Sequence, residues 1–170
     1  MYYKGFTYLI DAMRNVNGRL LLTGNGPLRT ELASQAEQAG IADRVVFLGS
    51  VSDEELMDLY QAVDIFALPS IARSEAFGIV QIEAMAAGKP VVNTSLDSGV
   101  PFVSLDGVTG ITVPPADSAS LAGALQKLLE DEDLRRRYGA AARQRAQDTF
   151  NMDGMVEKTL DVYHGAAARA

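Results

Sequence analysis

Two carboxylates, Glu75 and Glu83, flank the start of one short apolar helix, with seven residues between them. At a helix entrance such groups can accept hydrogen bonds from ligand hydroxyls or pair with a cation. The same stretch offers a complementary device. A loop of small residues ends at Gly78, and a helix follows, spanning about Phe77 to Ala87. The first turn of a helix leaves backbone N–H groups unpartnered, and the helix dipole favours negative charge there. Strand, loop and helix N-terminus together read as an anion site.

The polar residues of this helix sharpen the question. Gln81 and Glu83 are its only polar side chains; Ile, Val, Met and Ala fill the rest. Two residues apart is about 200° of rotation, so one solvated face cannot hold both. The apolar remainder reads as a helix packed on most sides. A carboxylate there is costly unless it is paired or hydrogen-bonded. Two readings of Glu83 stay open: a boundary position reaching water, or the lining of a ligand cleft.

The elements that position these groups alternate along the chain. An amphipathic helix over about Gly5 to Asn15 places Phe6, Leu9, Ile10 and Met13 on one side. Strands are read at Arg19 to Gly24, Arg44 to Gly49, Asp64 to Ser70, Val91 to Thr94 and Ile111 to Val113. Helices are read at Pro27 to Ala39, from Ser52 or Asp53 to Ala62, at Asp117 or Ser118 to Leu129, at Asp133 to Gln147, and at Met152 to Tyr163. Ser95 to Asp106 reads as a loop. Strands alternating with helices imply a doubly wound parallel α/β sheet with right-handed crossovers. Ligands of such sheets bind outside the carboxyl ends of the strands. Asn25, Val51, Glu75 and Gly99 should therefore face one cleft. The arginines of the penultimate helix, among acidic neighbours, read as a salt-bridged, solvated face. An α/β half-domain usually opens on a strand, and none precedes the first helix. The chain therefore reads as starting inside a domain.

With Phe-Gly between them, an Ile-Glu-Ala-Met-Ala-Ala-Gly-Lys run and Pro90-Val91-Val92 after it, Glu75 and Glu83 resemble the Glu-x7-Glu signature of family-4 retaining glycosyltransferases of the two-domain GT-B type. The likeness covers nearly the whole chain and is to the C-terminal, donor-binding half only. It implies a Rossmann-like fold over residues 1–170, binding a nucleotide-diphosphate sugar, with the N-terminal acceptor domain absent. Lys4 matches the lysine that, with an upstream arginine not present here, holds the donor diphosphate; without the resemblance it would read as a solvated lysine. Gly24 and Asn25 would approach the donor, although Gly24 to Pro27 alone reads as a tight turn. Val51 would meet the base through its backbone. Asp53 would read a base edge or simply cap a helix. Amides of Phe77, Gly78, Ile79 and Val80 would cradle the distal phosphate, and Glu83 would bind the ribose. Glu75 would hold donor-sugar hydroxyls near the reacting carbon, as the catalytic residue but not as nucleophile. Gly99 would offer a backbone contact to the sugar. Phe102 replaces a glutamate common at its position, which removes any carboxylate role there. The resemblance implies no metal or other cofactor, and C-terminal helices that return to the missing domain.

Composition narrows the alternatives. The 170 residues are 48% apolar and 22% charged, enough for one domain with a real core. There is no cysteine and one histidine, His164, which excludes thiolate chemistry and argues against a histidine-based triad or metal site. A net charge of −7 argues against a nucleic-acid partner. No apolar run spans a membrane. The expected location is cytoplasmic, with peripheral membrane association of a full-length protein left open. Two rival readings remain: the half of a GT-B nucleotide-sugar epimerase, and a non-enzymatic α/β interaction domain.

Overall fold

A computed structural model describes residues 2–167. Among these residues, five strands, all parallel to their neighbours, form a two-stranded and a three-stranded group, here called half-sheets. In the first, β1 (Leu20–Thr23) pairs with β2 (Val45–Gly49). In the second, β3 (Phe66–Leu68), β4 (Val91–Thr94) and β5 (Gly110–Val113) lie in that order. β1 and β3 each keep one unpaired edge. The backbone just before the first helix runs beside β3, where the Ile71 N–H donates to the Tyr3 carbonyl at 2.8 Å.

Helices cover both faces. α1 (Phe6–Ala12), α2 (Arg29–Gln38) and α6 (Ser118–Glu130) bury Leu9, Ile10, Leu32, Leu125 and Leu128 against Leu20, Leu22, Phe47, Val92 and Val113. This core spans both half-sheets. On the opposite face, α4 (Ile79–Ala86) and α7 (Glu132–Thr149) enclose Val91 with Met85, Val103, Ala142 and Ala146. Val91 and Val92 thus point to opposite layers, as strand alternation requires. α3 (Asp53–Ala62) packs its Tyr60 against α4 and Phe66. The layering is the doubly wound arrangement expected.

Several elements depart from the sequence reading. Val100–Val103, read as loop, forms a short helix, α5, started by Gly99 and Pro101. α2 begins at Arg29 rather than Pro27. The arginines of α7 mostly do not form salt bridges. Arg135 donates to the carbonyls of Leu128 and Leu129, Arg143 to Ala87, and Arg145 to Phe102 and Val103. Only Arg136 pairs with a carboxylate of its own helix, Glu132. Each of the first three closes the end of another helix, where carbonyls lack partners and a cation suits the dipole. α8 (Met152–Ala167) buries none of its residues, and its apolar face (Met155, Val156, Leu160, Tyr163) stays bare.

Candidate functional site

β3 ends at Leu68 and delivers the loop that carries Glu75. Ser70 and Glu75 are buried there, Glu75 to 7% exposure. The Glu75 carboxylate accepts from Lys4 Nζ at 2.5 Å and from Ser70 Oγ at 3.0 Å. The Ser70 carbonyl in turn accepts from Thr94 Oγ1 at 2.6 Å. Lys4 is thereby brought across the fold to the carboxylate. The turn that carries it depends on Gly5, whose φ of 68° lies in the left-handed region. A Cβ at Gly5 would collide with the Pro69 carbonyl, so the Lys4 turn and the β3 exit are in close backbone contact.

Gly78 (φ 72°) caps α4 without a side-chain cap bond. A Cβ there would meet Leu68 at 2.7 Å. Among the described residues, the backbone N–H groups of Phe77, Gly78, Ile79 and Val80 donate to no protein acceptor. No acidic residue stands in the first turn of α4. Four orphan amides, a positive dipole end and the Lys4 ammonium thus meet at one strand end. Unpartnered amides at a helix start are able to hold an anion, and Lys4 stands beside them paired with Glu75.

Gln81 and Glu83 do project to opposite sides of α4. Gln81 is fully buried. Its amide donates to the Phe77 and Val100 carbonyls and accepts from Asn93 Nδ2 at 2.9 Å; Asn93 also bonds the Ser104 carbonyl and Thr112 Oγ1. This network joins α4, β4, α5 and β5. Glu83 is half-buried on the α3 side and accepts from the Tyr60 hydroxyl at 2.8 Å. Burial first, and then the bond to Glu83, push the Tyr60 phenol well above its ordinary pKa, so it stays a donor at any physiological pH.

Two of the residues expected near a ligand have their amides engaged within the fold. The Gly99 N–H donates to the Ala76 carbonyl at 2.7 Å, and the Gly24 N–H to the Gly49 carbonyl at 2.6 Å. Both bonds hold loops together. Ser52, not Asp53, caps α3, in a reciprocal capping box with Glu55, which leaves Asp53 as an exposed first helical residue. Asn25 bonds Ser50 Oγ at 3.1 Å, next to Val51. Asn25, Val51 and Asp53 gather at the end of the β1–β2 half-sheet. Lys4, Glu75, Phe77 to Val80 and Gly99 gather at the end of the other. No hydrogen bond or ion pair joins the two groups among the described residues.

Sequence reasoning missed Ser70, Thr94, Tyr60 and the Gln81–Asn93 network. It left Phe102 without a role. Phe102, 57% exposed, lies 6.5 Å from Phe77 and 6.0 Å from Phe150, with the Arg145 guanidinium over it at 5.4 Å. At this position, where the sequence already offers no carboxylate, an aromatic cluster stands. A surface depression of about 720 Å³ lies elsewhere, at the junction of α6 and α7. Its lining includes Glu130, Asp131, Glu132 and Asp133 against Lys127, a poor host for an anion.

The orphan-amide helix start, the glutamate that Lys4 pairs and the second glutamate all belong to one strand–loop–helix unit of the doubly wound domain. Residues 1–145 match the family model for glycosyl transferases group 1, and the chain belongs to that family. Over 162 residues it is 35% identical to the O-antigen chain mannosyltransferase C of Escherichia coli, covering 95% of this chain and 43% of that protein. HepE of Anabaena, solved in complex with UDP, superposes with a TM-score of 0.88 at 28% identity, covering 97% of this chain and 46% of the other. The C-terminal domain of the group 1 protein LpcC of Francisella tularensis superposes at 0.80 with 25% identity, covering 89% of this chain and 82% of that domain. The chain thus spans less than half the length of the curated relative and matches its fold neighbours as a GT-B C-terminal domain. No helix among the described residues is long and apolar enough to cross a membrane.

Proposed function

We propose that this chain is the donor-binding half of a glycosyltransferase that moves a sugar from a nucleotide-diphosphate donor to an acceptor with retention at the anomeric carbon. The observation that carries the reading is the meeting of the Lys4–Glu75 pair with the four unpartnered amides of the α4 entrance. Lys4 and the amides of Phe77 to Val80 offset the charge of the diphosphate as the bond from the anomeric carbon to the leaving oxygen breaks. Stabilising developing charge with preorganised groups is how such a site lowers a barrier. Glu75 holds sugar hydroxyls beside the reacting carbon. Glu83 accepts from the ribose, and Val51 and Asp53 stand near the base. The leaving nucleoside diphosphate carries the electron pair of the broken bond, and the acceptor hydroxyl's proton leaves as the new glycosidic bond forms.

Two structural features support a larger whole. The unpaired edges of β1 and β3 are each able to take a further strand. The bare apolar face of α8 fits a surface of an acceptor-binding domain. Turnover then requires both halves.

Calorimetric titration with UDP and GDP tests the donor reading. One of the two binds, and Glu83→Ala weakens that binding by about 1–3 kcal/mol, the worth of hydrogen bonds to a charged group. Equal affinity in the variant would remove the ribose assignment.

A further inference from the structure

A buried tyrosine hydroxyl needs an acceptor, and the one that Tyr60 takes is the Glu83 carboxylate. Tyr60 is 5% exposed, its ring fixed edge-on to Phe66 at 5.9 Å and packed with Leu56, Ala84 and Ala87. The hydroxyl at the end of that rigid ring donates to one oxygen of Glu83, Oε2, at 2.8 Å. The second oxygen, Oε1, has no hydrogen-bond partner among the described residues. A carboxylate on a helix has three rotatable torsions, and an exposed one samples many rotamers. Here one oxygen is tethered to an immobile donor from a different helix, and the other is left to accept.

We infer that Tyr60 is a positioning residue: it orients the Glu83 carboxylate so that the untethered oxygen is presented to the vicinal hydroxyls of a ribose. The inference rests on the donor reading of Glu83 given above. Tyr60 touches no ligand itself. It acts by removing the rotamer freedom that Glu83 would otherwise lose on binding, which is preorganisation in the ordinary thermodynamic sense. The alternative is that the bond merely satisfies two polar groups at the α3–α4 seam, in which case nucleotide selectivity is indifferent to it.

Tyr60→Phe separates the two, because it keeps the ring and its packing and deletes only the donor. The probes are UDP and GDP against their 2′,3′-dideoxy forms, titrated into the wild-type chain, Tyr60→Phe and Glu83→Gln. For the base that binds, the wild type prefers the ribonucleotide by roughly tenfold to a hundredfold, as expected of hydrogen bonds to a carboxylate. In Tyr60→Phe that preference shrinks to a few-fold, while affinity for the dideoxy nucleotide is unchanged. Full retention of the preference in Tyr60→Phe overturns the inference. So does an equal loss for both nucleotides, which marks a structural role at the seam. A wild type that binds the two forms equally overturns the ribose reading of Glu83 itself, a result distinct from a failure of Tyr60 alone.

Discussion

At the scale of single residues the site is governed by one compact ion pair. Glu75 is buried with two partners, and Lys4 is the charged one. Removing Lys4 leaves a buried carboxylate with only the Ser70 hydroxyl. Lys4→Met is expected to cost about 2–3 kcal/mol by urea unfolding, the penalty for stranding a charged acceptor. Adding Glu75→Gln should recover most of that loss, because the stranded charge is gone. A double-mutant cycle showing no coupling would mean that the two groups do not feel each other in solution. Lys4 also shows what the sequence conceals. As a type and position it reads as a solvated lysine, and only the fold reveals that it meets a carboxylate 71 residues away. Tyr60 lies within a helix that the sequence marks from Ser52 or Asp53 to Ala62, but nothing there marks its hydroxyl as a partner of Glu83. Gln81 is the reverse case, a polar residue that the fold buries completely because Asn93 and two carbonyls are waiting for it.

At the scale of elements, periodicity served well. Every strand and every long helix lies close to where apolar spacing puts it, since that spacing is dictated by which face meets the core. Partnerships through backbone carbonyls were not legible. All residues carry a carbonyl, so nothing in the sequence marks Ala87, Val103 or Leu128 as the acceptor for a distant arginine. Charge patterning suggested salt bridges on α7, and the arginines instead reach carbonyls at the ends of α4, α5 and α6. The Asn93 network is the most consequential of these hidden ties, since it holds the α4 entrance in register with β4. Asn93→Ala should destabilise the fold by about 2–3 kcal/mol, because Gln81 and Thr112 both lose a buried partner. Thermal melts check this, and a change under half a kilocalorie would show that water replaces the side chain.

For the whole molecule, acid is the natural stress. Ser52 holds Glu55 below the usual carboxylate pKa through its backbone N–H, and Ser120 does the same for Asp117, chiefly through its hydroxyl. A carboxylate whose pKa is lowered by folding stabilises the native state above its unfolded pKa, near 4. That contribution is lost as pH falls through the lower folded value. The combined Glu55→Gln, Asp117→Asn variant should therefore be less stable than the wild type above about pH 5 and show a flatter decline below it. Circular-dichroism melts between pH 3 and 7 would reveal parallel curves if the caps contribute nothing.

The division of the sheet has one further consequence. The β1–β2 half leaves Leu21, Val46 and Leu48 each more than a third exposed on one face, whereas all four residues of β4 are buried. Local opening is cheapest where buried contacts are fewest, so the molecule has a soft half and a hard half. Amides of β1 and β2 should exchange with deuterium well before those of β4. The proposed ligand would lay its base against the soft half and its phosphates against the hard one, crossing a line that no hydrogen bond of the site now crosses. Anything bound only in the closed arrangement stabilises it by mass action. A bound nucleoside diphosphate would then protect strands that it never touches, acting as the stitch between two parts of one sheet.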